Sequence, residues 1–133
     1  MEERRAPVRL DARALALVLA AGAAPVAACD LAGSRVLESP RFALAYRTEP
    51  PRPGAGEHFA VELRICRPAA GAEGLRVDAH MPEHRHGMNY RPGLVALGGG
   101  HYRSEGWLFH MPGEWEFVFE LGGERLADGV RIE

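Results

Sequence analysis

The chain of 133 residues has no lysine; all 16 of its basic residues are arginine. Without lysine, the glycine run Gly98-Gly99-Gly100 cannot act as a phosphate-binding loop, which needs a lysine and a following helix. Cysteine is scarce too, and two thiols cannot build the four-thiolate framework of a structural zinc site. Neither sign of charge prevails. The 16 basic and 18 acidic residues leave a formal −2, which argues against a nucleic-acid surface or a polybasic membrane patch. No nucleophile–base pair stands out, since Ser34, Ser39 and Ser104 lack a recognisable nucleophile elbow. A binding protein is therefore expected rather than an enzyme. No repeat architecture is present, and the length argues for one domain.

What the chain does have begins with an apparent address. Residues 1–28 read as an export signal: Arg4, Arg5, Arg9 and Arg13 make a positive leading region, and residues 14–28 form an uncharged apolar run. That run suits a signal segment and is short for a membrane span. Two cleavage readings compete. Val26-Ala27-Ala28-Cys29 resembles a bacterial lipobox, which makes Cys29 a lipid-carrying first residue and gives the only membrane attachment the sequence offers. Cleavage after Ala21-Gly22-Ala23 instead leaves Cys29 free to pair with Cys66 in an oxidising compartment. The disulfide reading is preferred, because otherwise Cys66 is an odd thiol. Such a bond contributes about 3–4 kcal/mol in the chain-entropy model. Either way the expected location is periplasmic or extracytoplasmic. Four arginines and three acids lie in residues 1–28, so residues 29–133, the expected single mature domain, carry a formal −3.

The mature chain is rich in turn signals, with 16 glycines and 10 prolines overall. Between these, larger side chains alternate with period two. Phe42, Leu44 and Tyr46 do so, then Phe59, Val61, Leu63 and Ile65, with Glu62 and Arg64 directed to water. Leu75, Val77, Ala79 and Met81 repeat the pattern, and Pro82 ends it because proline cannot donate to a ladder. Further strands are expected over residues 94–97, 101–110, 114–121 and 126–132, with Gly122-Gly123 as a hairpin turn. About seven or eight short strands without a helix predict an all-β, antiparallel immunoglobulin-like sandwich.

The chemistry concentrates in His80-Met81-Pro82-Glu83-His84-Arg85-His86-Gly87-Met88, with a shorter echo at His110-Met111-Pro112. Thioether sulfur with imidazole nitrogen suits copper, above all Cu(I), and suits zinc poorly. His84 and His86 converge if Arg85 points away, and Gly87 can take positive φ and fold Met88 back. If two strand ends carrying the same tripeptide meet at one end of the sandwich, they form a mixed nitrogen and sulfur site. The expected ligands are Met81, His84, His86 and Met88, then His110 and Met111. His80 falls on the opposite face from Met81, and His58 and His101 sit at strand starts as surface residues. The plainer account has Met81 and Met111 in the core and the histidines as a pH-responsive surface.

The span from about residue 59 to 133 resembles the small exported YtkA-like domains, which are similar in architecture to CopC-type copper-binding sandwiches. The stretches that carry the resemblance are residues 78–88, Gly100-His101-Tyr102, and Phe109-His110-Met111-Pro112-Gly113-Glu114-Trp115. It implies an immunoglobulin-like fold and copper handling. There is no amino-terminal histidine brace of the kind some CopC-like proteins use for Cu(II). The expectation is an exported copper-binding carrier, buffer or metallation factor that exchanges copper with an exported protein partner or a copper-accepting enzyme. The alternative is a metal-free immunoglobulin-like interaction module of an envelope complex, touching its partner through Tyr90, Arg91 and Trp107. A small copper or zinc enzyme ranks behind both.

Overall fold

A computed structural model describes residue 29, residues 31–68 and residues 72–133. The expected export signal, residues 1–28, lies outside the described residues. The described chain is all β, with strands β1 (Arg35–Glu38), β2 (Ala43–Glu49), β3 (His58–Arg67), β4 (Arg76–Met81), β5 (His86–Gly87), β6 (Val95–Gly98), β7 (His101–Leu108), β8 (Gly113–Leu121) and β9 (Glu124–Ile132). They form a five-stranded sheet, β1-β2-β3-β7-β6, and a four-stranded sheet, β5-β4-β8-β9. Every pairing is antiparallel. With β1 set aside, these orders are those of strands A-B-E-D and C′-C-F-G of the immunoglobulin sandwich.

The strand count exceeds the expected seven or eight for two local reasons. β1 splits from β2 at Ser39, whose hydroxyl is bonded to the Phe42 backbone and closes a tight turn. β5 is only two residues long and exists because Met81 and His86 close a hairpin.

Period-two alternation makes the core. Phe59, Val61, Leu63 and Ile65 of β3 face Trp115, Phe117 and Phe119 of β8, all buried. The interaction-module alternative turns Trp107 toward a partner, yet it is 0% exposed. The reason is a bulge. Val61 pairs with Ser104 but Phe59 with Trp107, so β7 carries one extra residue there, and Gly106 (φ 90°) absorbs it. The inserted residue returns Trp107 to the inner face, where its indole N–H donates to the Ser104 hydroxyl at 2.8 Å.

Ala43 and Ala45 are buried on the outer side of β2. The segment before β1 runs near this face: Arg47 donates to the Ala32 carbonyl at 2.8 Å. Cys29 and Cys66 stand at disulfide distance, with Cα atoms 5.3 Å apart. Cys66 lies toward the end of β3, whereas His58 at its start pairs with Leu108. The cysteine pair and the Phe109–Gly113 connection therefore sit at opposite poles, about 26 Å apart at 3.3 Å per residue.

Candidate metal centre

The pole opposite the cysteines gathers the end of β4, the start of β5 and the β7–β8 connection. Its floor is aromatic. Phe109 lies 4.7 Å from Trp115, 4.9 Å from Phe59 and 5.5 Å from Phe117, ring centre to ring centre. Contacts of this kind hold side chains in fixed orientations.

On this floor the two His-Met-Pro stretches meet. The Met81 carbonyl accepts the amides of His84 and Arg85 at 3.2 and 2.9 Å, which closes the hairpin loop. Arg85 takes the left-handed conformation there, with φ 55°. The sequence assigned that role to Gly87, and the structure corrects it. Gly87 sits in β5 opposite His80 without positive φ, and a Cβ on it would stand 3.3 Å from the Ala79 carbonyl oxygen. The turn needs its left-handed residue at the last loop position, one place before the Met81–His86 pair.

Directly paired residues share a face, so His86 lies on the inner face with Met81. The His84 and His86 rings are 5.7 Å apart, and those of His86 and His110 are 5.2 Å apart. Trp115 stands beside both inner rings, 6.0 Å from His86 and 5.4 Å edge-on from His110. Its indole N–H donates to the Met111 carbonyl at 3.0 Å, which pins the turn carrying His110.

The spacing of the rings bears on coordination. With a metal–nitrogen bond of about 2 Å, an imidazole centre lies about 3 Å from the ion, and two at a tetrahedral angle stand about 5 Å apart. The observed separations are close to that. His110 Nδ1 is buried and has no hydrogen-bond partner among the described residues. A buried unpaired nitrogen costs roughly 1–3 kcal/mol, so it is a group that gains from a ligand. His86 Nδ1 faces the Gly87 carbonyl at 3.2 Å.

The expected ligands occupy different depths. His84 is exposed, His86 and His110 are half-buried, and Met88 and Met111 are half-buried against the core. Met81 is 1% exposed and is a core side chain. Its Cε reaches beneath the second strand end, 2.6 Å from where a Cβ on Gly113 would be. Among the described residues no group of three or more His, Cys, Asp and Glu side chains is placed to hold a metal ion. A site here thus requires thioether sulfur as well as imidazole.

His80 points to the outer face, with Nε2 3.6 Å from the Glu116 carboxylate. His58 and His101 open β3 and β7 away from the cluster's ring contacts. Sequence reasoning missed Trp115 as a wall of the site and Gly113 as the point where β8 crosses Met81. The signal for both was the run Gly113-Glu114-Trp115 directly after Met111-Pro112. No family model, no curated protein and no solved structure matches the chain.

Proposed function

We propose that the chain is an exported copper-binding protein, a carrier, buffer or metallation factor of the YtkA-like kind. It binds Cu(I), and Cu(II) where imidazoles dominate, through Met81, His84, His86, Met88, His110 and Met111. The observation that carries this reading is the row of His84, His86 and His110 rings ending on a buried, unpartnered His110 Nδ1. Soft thioethers beneath and beside imidazoles favour copper over zinc. His84, the exposed member, is the first to meet an incoming ion or a partner's ligand. The deeper donors then take the ion by ligand exchange. Cys29, once paired with Cys66, carries no lipid, so the mature protein is extracytoplasmic and soluble in this reading.

The test is a competition titration of the purified mature protein against a chromophoric Cu(I) chelator. One equivalent binds, and affinity falls at least a hundredfold in His86→Ala/His110→Ala. Zinc competes at least a hundredfold less well than Cu(I). Absence of saturable binding, or an unchanged affinity in the double variant, overturns the proposal. The interaction-module reading would then stand, favoured by the exposed Tyr90, Val95 and Leu97 (58%, 61% and 63% exposed).

A further inference from the structure

Four strands of the described residues lie at sheet edges: β1 and β6 in one sheet, β5 and β9 in the other. An edge presents unpaired amides and carbonyls, and charged side chains there are a common guard against pairing with another chain. β1 carries Arg35 and Glu38. β9 carries Glu124, Arg125, Asp128 and Arg131, and Arg35 and Arg41 reach across to Asp128 and Glu124 at 2.7 and 3.0 Å. β5 is two residues long and includes His86. β6, Val95-Ala96-Leu97-Gly98, is the one edge strand among the described residues with no ionisable side chain. All four of its residues are exposed, Val95 and Leu97 by 61% and 63%.

The direction of its backbone groups follows from the register. Val95 pairs with Arg103 of β7. Two places before Val95, the Gly93 amide donates at 2.8 Å to the carbonyl of Glu105, two places after Arg103. Alternate residues of a strand send their backbone groups to opposite sides. Gly93 and Val95 therefore face β7, while Leu94 and Ala96 present their amides and carbonyls to the open edge. Paired residues share a face, so Val95 lies on the outer face with Arg103. The Arg103 guanidinium is already held by Glu49, Glu62 and Glu105. The register shifts after Ala96, which leaves Leu97 without a partner on β7.

We propose that β6 pairs with β6 of a second copy of this chain, antiparallel, about a two-fold axis at Ala96. The two Ala96 residues exchange both of their backbone hydrogen bonds across the axis. An antiparallel strand turned about that residue sets Val95 beside Leu97 of the second copy, and Leu97 beside Val95 of the second copy. A two-fold contact uses the same patch on both partners, so the patch must be complementary to itself. An uncharged strand with one aliphatic side chain on each side of its centre meets that condition, and no like charges are brought together. The two five-stranded sheets then run on as one of ten strands. Four residues offer about 13 Å of edge at 3.3 Å per residue. A stable interface buries roughly 1,000 Å² or more, so this short contact makes a weak dimer, with Kd on the order of 0.1 mM.

The experiment is sedimentation equilibrium of the metal-free mature protein in chelator, from micromolar to millimolar concentration. A monomer–dimer equilibrium is expected, and Ala96 amide exchange slows at least tenfold at the high-concentration end. Val95→Glu/Leu97→Glu sets acid against acid at both contacts and weakens the dimer at least tenfold. Val95→Glu/Leu97→Lys sets acid against base at both contacts, only if the strands run antiparallel about Ala96, and restores dimerisation. Both side chains are exposed, so the variants keep their fold. A monomer at millimolar concentration, a dimer indifferent to Val95→Glu/Leu97→Glu, or equal weakening by both variants overturns the proposal. Because no copper is present, its failure is separate from failure of the copper reading.

Discussion

Replacing Gly113 by alanine puts a methyl group where the Met81 side chain already stands. The added Cβ falls 2.6 Å from Met81 Cε, well inside van der Waals contact, and Gly113 has φ 134°, a conformation side chains avoid. Two penalties follow. Holding a non-glycine residue in that backbone region costs about 1–3 kcal/mol. Forcing an extra carbon into a packed interior costs about 1–3 kcal/mol more, toward the lower end here because methionine is flexible. Gly113→Ala should therefore destabilise the protein by about 2–4 kcal/mol, read as a lower urea midpoint at unchanged m.

The two penalties separate in a double-mutant cycle. Met81→Ala alone removes a buried side chain and costs about 2–5 kcal/mol. In that background the Gly113 methyl has room and only the backbone penalty remains. The double variant should then be more stable than the summed single effects by about 1–2 kcal/mol. Additivity within about 0.5 kcal/mol would refute the contact, and with it the placement of the Met81 thioether under the second strand end. Copper affinity gives an independent reading, because Gly113→Ala pushes the thioether aside and should weaken Cu(I) binding at least tenfold.

Removing the pair with Cys29→Ala/Cys66→Ala should cost about 3–4 kcal/mol in chemical denaturation yet leave Cu(I) affinity unchanged, since the pair lies at the other pole. The Tyr46 phenol is held above its ordinary range by burial and by its hydrogen bond to Asp128 at 2.5 Å. Its stabilising contribution is complete below the unfolded value of about 10 and is lost as pH rises past it. Tyr46→Phe should flatten that alkaline loss in pH-dependent urea melts. Arg85→Gly should raise stability by about 0.5–1 kcal/mol by relieving the left-handed residue, with copper binding intact; a loss of stability would mean that the Arg85 side chain has a role its surroundings do not reveal.

Legibility of the fold tracked how strongly one face of each segment is buried. β3 and β8 alternate cleanly because large side chains fill the space between the sheets, so their inward residues were readable. β1 was not separable from β2, since its residues are largely exposed and nothing in their pattern marks a face. β7 stops at Leu108 rather than His110 because the Phe109 carbonyl turns to the Gly56 amide at 2.8 Å, a partner distant in sequence. The partner-facing Trp107 of the interaction-module alternative fails for a related reason. A bulge changes strand parity, and Gly106 alone does not announce it, since an isolated strand glycine is equally a weak spot in pairing.

At the candidate site the residue types were legible and the depths were not. Nothing in His-Met-Pro tells which member is pulled inward; that follows from parity. Met81 shares the inner face with Ala79 and Val77, so it enters the core, while His80 is turned to Glu116 outside. His86 is then fixed on Met81's face by the hairpin, and His110 is brought beside it by the Trp115 bond to the turn. A purely structural histidine in that position would be expected to spend both ring nitrogens on backbone or carboxylate partners. His110 leaves Nδ1 buried and unpaired, next to a second imidazole. Replacing His110 with phenylalanine should thus be neutral or stabilising by about 1 kcal/mol while weakening copper binding at least tenfold, an opposition between stability and function that a residue kept for packing would not produce.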